Sequence, residues 1–248
     1  MRIGYVLDSG PSTVGKDAAA AELHGLFAVM VGGPAGTECT AGAYAAAATS
    51  YIRIVVRVRM GVEHPVTLAE EITVLDNASN GRVAVIADVA SMQADDAAED
   101  VGLLRAALSS TPIQHSGSRW QVAPNLPEHN ASASVIVTPA PAQIEIPVWV
   151  IGDTAGACGV PVVRTGLEEA LGLWPGLLRP GLVTLTGSME EDRSLVMVWA
   201  SAGISHLFVE VSVASLSMVS RYLQPEVGMV GFPRVIADAA LPVVWAPA

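Results

Sequence analysis

Residues 52–89, IRIVVRVRM-GVEHPVTLAE-EITVLDNASN-GRVAVIADV, carry the pattern that decides the fold. Two β-branched runs, Ile52 to Met60 and Val83 to Val89, flank a stretch from Pro65 to Ala78 with apolar residues at helical spacing. His64 before Pro65 orders the turn into that helix. Strand, helix and strand in this order make one β-α unit of a parallel sheet.

The same alternation extends in both directions. The candidate strands are Arg2 to Leu7, Leu26 to Val31, Ile52 to Met60, Val83 to Val89, Val148 to Ile151, Val160 to Val163, Leu182 to Leu185 and His206 to Val211. Helical spacing covers Lys16 to His24, Thr40 to Ala48, Pro65 to Ala78, Asp95 to Leu108, Leu167 to Leu173, Met189 to Ala202 and Ala214 to Leu223. Eight strands would close a barrel, so the expected fold class is α/β, a (β/α)8 TIM-barrel-like single domain over residues 1–248. Thr165 with Glu168, and Ser188 with Glu191, each place a hydroxyl three residues before a carboxylate, the pattern of a helix cap. Residues 111–146, rich in Pro, Ser, Asn and His, read as an irregular excursion placed at the barrel mouth.

Composition narrows the function classes. With 51% hydrophobic and 15% charged residues the chain has the makings of a packed core rather than a disordered segment. A formal net charge of -11, with no Lys/Arg run to offset it, repels nucleic acid and anionic membrane surfaces. Cys39 and Cys158 are far apart and suit reduced thiols in a cytoplasmic protein. The sequence shows no signal-peptide pattern and no stretch apolar enough to span a bilayer.

Several segments then share an order with a known family. They are Ala21 to Val31, His64 to Glu71 continuing through Leu75-Asp76 and Ser79-Asn80-Gly81-Arg82, Leu103-Leu104-Arg105, Pro147 to Gly152, and Ala202 to Leu207. Together they resemble the luciferase-like flavin or deazaflavin oxidoreductases. That resemblance implies a ligand at the carboxyl ends of the strands, FMN or the deazaflavin coenzyme, a small organic substrate and a homodimer. Relative to the family the chain is short, with the region after Gly152 compressed into Asp153 to Gly159. Family members carry small residues on the third and fourth strands, whereas the aligned positions here are Val55, Arg57, Ile86, Asp88 and Ala90. The turn Gly32-Gly33-Pro34-Ala35-Gly36 offers backbone amides and no general acid or base, so no catalytic residue is assigned.

The candidate cofactor-binding residues are Arg57, Asp88, Gly152, Asp153 and Thr154. Alternation puts Arg53, Val55, Arg57 and Arg59 on one face of the third strand, and Asp88 is placed to form a buried bidentate pair with Arg57 or Arg59. Such a pair either fills the pocket or binds an anion. Gly152-Asp153-Thr154 either cradles a phosphate with its amides and hydroxyl or makes a tight turn. Glu38 reads as a surface residue at a helix start, and His206 as a packed core histidine. His24, His64, His115, His129 and His206 are too dispersed for a metal site, although His115 and His129 could face a ligand from the excursion. Trp120, Trp149, Trp174, Trp199 and Trp245 read mostly as core or interface residues. Two functions follow: a flavin- or deazaflavin-dependent oxidoreductase or monooxygenase, or a non-catalytic barrel with no cofactor that serves as partner subunit, scaffold or anionic-ligand binder.

Overall fold

The computed structural model describes residues 1–7, 10, 12–123, 134–164, 180–210 and 216–223. The cap expected at Thr165, the helix expected from Leu167 to Leu173, and His129, Trp174 and Trp245 lie outside the described residues. The elements in order are β1 (Arg2–Leu7), α1 (Val14–Leu23), β2 (Ala28–Val31), α2 (Glu38–Ala48), β3 (Arg53–Arg59), α3 (Pro65–Ala78), β4 (Val83–Asp88) and α4 (Ala94–Leu108). A small hairpin follows, β5 (His115–Ser116) and β6 (Gln121–Val122), and then β7 (Val148–Ile151), α5 (Ala155–Cys158), β8 (Pro180–Thr184), α6 (Met189–Ser201), β9 (His206–Glu210) and α7 (Leu216–Met218), which runs into a π-helical turn at Val219–Leu223.

Seven strands form one sheet in the order β7-β4-β3-β2-β1-β9-β8, parallel throughout. The segment 160–163 joins its two edges. Val162 N donates to Val150 O at 2.7 Å and Val150 N to Val160 O at 2.9 Å, while Val163 N donates to Pro180 O and Leu182 N to Val163 O, both at 2.9 Å. Closure of this kind leaves neither edge strand with a bare row of amides. The eight strands expected from the sequence are therefore the eight that circle the barrel.

Two-residue alternation separates two apolar layers. Ile3, Tyr5, Ile54, Val56, Val83 and Val85 face the helices within the larger core. Met30, Val55, Ala84, Ile86, Trp149, Ile151, Leu182 and Phe208 fill the barrel interior. Gly4 makes room for that filling, since a Cβ there would stand 2.6 Å from Phe208 Cδ1. The interior is packed core and not a pore.

Local chemistry explains the helix ends. His64 Nδ1 accepts from Val66 N at 3.1 Å, and Pro65 occupies a first-turn position where a missing N–H costs nothing. α3 stops where Asn80 and Gly81 take positive φ, after which Arg82 donates to Ser79 O, Ile52 O, Ala46 O, Thr49 O and Thr49 Oγ1. The cap expected from Ser188 is not made by that hydroxyl. Asp192 accepts instead from Thr186 N at 2.7 Å and Gly187 N at 2.9 Å, because a carboxylate one turn inside the helix satisfies two amides with charge-assisted bonds.

The excursion, whose residues 124–133 lie outside the described ones, has its two ends on one side of the barrel and its hairpin on the other. α4 delivers the chain to the amino end of the barrel, and β7 starts from that same end, so the intervening chain begins and finishes away from the mouth. Its hairpin climbs α4, where Glu99 accepts from Ser118 N and Oγ, Arg119 N, Trp120 N and His115 Nε2. Trp120 packs edge-on against His64, with ring centroids 4.5 Å apart. His115 is thus engaged by Glu99.

Candidate functional site

The carboxyl ends of the strands form the candidate site. Parallel register sets Arg57 beside Ile86 and Arg59 beside Asp88, with Asp88 in turn beside Ile151. Arg57 and Asp88, both inward positions, do meet: Arg57 Nε and Nη2 donate to Asp88 Oδ2 at 3.0 and 2.7 Å. The other carboxylate oxygen accepts from Ala90 N at 3.1 Å. The pair corrects the sequence reading in two respects, since both bonds use one oxygen and the pair is not buried. Arg57 keeps 35% of its side chain exposed and Asp88 18%. Both side chains keep part of their surface exposed at the strand ends.

Both oxygens of Asp88 thereby accept hydrogen bonds, which fixes the carboxylate against the guanidinium. Nη1 of Arg57 is the edge left for a ligand. Arg59, one step further out, is exposed, and its backbone N–H meets Glu38 Oε1 at 3.4 Å. Glu38 itself is 6% exposed, contrary to the surface placement expected for it, because it turns back to accept from Thr37 N and the end of β3.

Gly152, Asp153 and Thr154 follow β7 on the same rim. Gly152 has φ +132, and a Cβ there would lie 2.7 Å from Ala90 N, so the glycine is required by the approach of two neighbouring turns. The tight-turn reading accounts for it. Asp153 is exposed. Thr154 precedes α5, and its Oγ1 is buried with no hydrogen bond.

Two rim residues escape the sequence reading. Thr184 and Glu210 close β8 and β9, and Thr184 Oγ1 donates to Glu210 Oε2 at 2.7 Å. Inward alternation along His206-Leu207-Phe208-Val209-Glu210 is the signal that could have found the second of them. Beneath this polar rim the floor is apolar, made by Met30, Ile86, Ile151 and Phe208. Among the described residues no group of three or more His, Cys, Asp or Glu could hold a metal ion, and no helix is long and apolar enough to cross a membrane.

A parallel barrel with a polar, partly open rim over an apolar floor defines an α/β barrel of the kind that takes a ligand at its strand ends. Comparison finds a likeness to the luciferase-like proteins. Residues 7–87 match the model of the luciferase-like monooxygenase family. The monooxygenase RslO1 from Streptomyces bottropensis superposes with a TM-score of 0.73 at 14% identity, over 91% of this chain and 99% of that one. The coenzyme F420-dependent tetrahydromethanopterin reductase from Methanopyrus kandleri gives 0.66 at 13% identity, over 91% and 99%. The oxygenating constituent of 3,6-diketocamphane monooxygenase from Pseudomonas putida, in complex with FMN, gives 0.63 at 16% identity, over 91% and 98%. No curated protein sequence matches the chain. The resemblance is borne out over the matched segment, and the luciferase-like fold over most of the chain.

The motif residues that carry the resemblance do framework work. His64 caps α3, Asp76 accepts from Gln143 N and Nε2, and Arg82 ties the ends of α2 and α3 to β3. Apart from His64 they sit at the amino end of the barrel, away from the rim. They specify the scaffold, and the rim residues must be judged on their own chemistry.

Proposed function

We propose that this chain is a flavin- or deazaflavin-dependent oxidoreductase acting on a small organic substrate. The observation that carries the reading is the rim itself: Arg57 is held from behind by Asp88, keeps Nη1 unengaged and stays 35% exposed above an apolar floor. FMN or the deazaflavin coenzyme would supply the redox chemistry there. Arg57 would hold an electron-rich oxygen of the bound group through Nη1, and Asp88 would fix the guanidinium plane. The amides of residues 152–154 and the unsatisfied Thr154 hydroxyl would hold a second polar portion. Met30, Ile86, Ile151 and Phe208 would keep water from the face of a ring. We further propose a cytoplasmic homodimer. The exposed apolar side chains Leu23, Tyr44 and Tyr51, on α1, on α2 and just after it, support association, which light scattering of the purified chain tests.

A second reading, a non-catalytic barrel serving as scaffold or anionic-ligand binder, is favoured by one specific observation. Both Asp88 oxygens already accept hydrogen bonds, and Arg57 and Asp88 occupy strand positions where the resemblance implies small residues. Titration with FMN and with the deazaflavin coenzyme, followed by absorbance and thermal shift, separates the two. The oxidoreductase reading expects saturable binding in the micromolar range, weakened about tenfold or more in Arg57→Ala, as is typical when a charge-assisted hydrogen bond is lost. No binding of either compound at high micromolar concentration would overturn it.

A further inference from the structure

The opposite, amino end of the barrel interior holds a second group of polar side chains. Arg53 faces inward and is 1% exposed. Its Nη2 donates to Gln143 Oε1 at 2.6 Å, and Gln143 Nε2 donates onward to Asp76 Oδ1 at 2.7 Å, so the carboxylate reaches Arg53 only through an amide. Nε and Nη1 of Arg53 are buried and make no hydrogen bond. His206, 3% exposed, has Nδ1 at 2.8 Å from Ser205 Oγ, while its Nε2 is buried and likewise makes no hydrogen bond. Aromatic rings wall the place: the His206 ring centroid lies 4.7 Å from that of Phe27 and 5.6 Å from that of Trp149. Arg2 stacks over Phe27 at 5.4 Å and adds positive potential. Burial, then Arg2, Arg53 and the amino terminus, pushes His206 down to about 3, so the ring is neutral at physiological pH. Of the two tautomers open to the Ser205 Oγ–Nδ1 bond, the one in which Ser205 donates leaves the ring proton on Nε2.

We propose that the amino end of the barrel encloses one small, weakly hydrated anion of the halide class, held by Nε and Nη1 of Arg53 and Nε2 of His206 between Phe27 and Trp149. Three features select this chemistry. With the ring proton on Nε2 the unsatisfied atoms are all N–H donors, so a water would bring two further protons in need of acceptors. The walls are aromatic and exclude the hydration that phosphate or a carboxylate retains. A monovalent anion also offsets the buried guanidinium directly, where Asp76 does so only through Gln143. This site is independent of the flavin reading, since it lies at the other end of the strands.

Bromide is the probe. The purified chain, exchanged into sodium gluconate free of chloride, is titrated from 1 to about 300 mM sodium bromide at constant total sodium while Tm is followed. Above the binding midpoint, Tm is expected to rise by about 3–5 °C per tenfold bromide in the native chain and to stay flat in Arg53→Met. Crystals soaked in bromide should give an anomalous peak beside Arg53. A flat native curve, or an equal rise in both proteins, would overturn the proposal. So would an anomalous map empty at Arg53, which decides the matter even if Arg53→Met does not fold.

Discussion

At the scale of single residues, Arg82 shows how a motif position can be indispensable without touching a ligand. Its side chain is 3% exposed and satisfies three carbonyls and a hydroxyl on α2 and on the turn that leads to β3, besides Ser79 O. Arg82→Ala leaves those acceptors buried and unmet, and is expected to lower unfolding free energy by about 3–5 kcal/mol in urea denaturation. A loss under about 1 kcal/mol would mean that solvent satisfies them. His206 makes a prediction with a defined sign. Its folded value lies near 3, against 6.5 when free, so below pH 6.5 the unfolded chain takes up a proton that the native chain refuses. The stability that this neutral ring preserves is fully present above pH 6.5 and is lost as pH falls towards 3, at up to about 1.4 kcal/mol per pH unit. In chloride-free buffer, which leaves the proposed anion out, the groups facing it are Arg2, Arg53 and the amino terminus. His206→Gln should therefore be less acid-sensitive than the native chain between pH 6.5 and 4, and parallel stability curves would refute the assignment. The pairing of Arg57 with Asp88 is legible only in part: alternation puts both on the inward face, but register sets Arg59 level with Asp88, so the sequence leaves either arginine as its partner. The role of Gln143 is not legible, since its contact with Arg53 crosses 90 positions through an aperiodic segment.

Secondary-structure elements are legible wherever periodicity reports burial, and less so wherever side chains choose among nearby amides. α3 ends where the hydrophobic spacing ends, at Ala78. Ser188 misleads at the start of α6 because the hydroxyl-to-carboxylate spacing is necessary for that cap but does not exclude a competitor, and Asp192 offers two acceptors to the same turn. The hairpin of β5 and β6 is invisible in the sequence for a related reason. Its strands are two residues each, too short for alternation, and it is held by Glu99 rather than by a long ladder. Hydrogen bonds from Ser118, then His115 and the amides of Trp120 and Arg119, hold Glu99 at about 2, well below the usual carboxylate range. A depressed acid contributes stability above its unfolded value and loses it as pH falls through its folded one, so the strap is expected to loosen between about pH 4.5 and 2. Glu99→Gln at neutral pH should speed amide exchange at Ser118, Arg119 and Trp120 by about tenfold or more while leaving the inner face of α4 protected. Unchanged exchange at those three amides would show that Trp120 packing on His64 suffices alone.

For the whole molecule, the fold is the most legible property and the rim the least. Parallel strands buried on both faces announce themselves as β-branched runs, and eight of them in sequence leave few topologies besides a closed ring. A binding rim consists of single residues at strand ends whose meaning depends on what stands opposite; Thr184 and Glu210 become visible only once β8 and β9 lie side by side. The ring has one short link, the segment 160–163, a strand run with little helix before it. It bonds to β7 through Val160 and Val162 and to β8 through Val163, so global stability and rim geometry both pass through few hydrogen bonds. Val163→Pro removes the N–H that meets Pro180 O and should open that seam while leaving the β7 side joined. The expected outcome is a loss of about 2–4 kcal/mol in unfolding free energy and faster exchange of the Leu182 amide, with β1 to β4 still protected. Val163→Ala, which trims the side chain but keeps the N–H, should cost less. If both variants lose the same stability, the segment contributes through its side chains alone, and the barrel is held shut by its packed interior rather than by this seam.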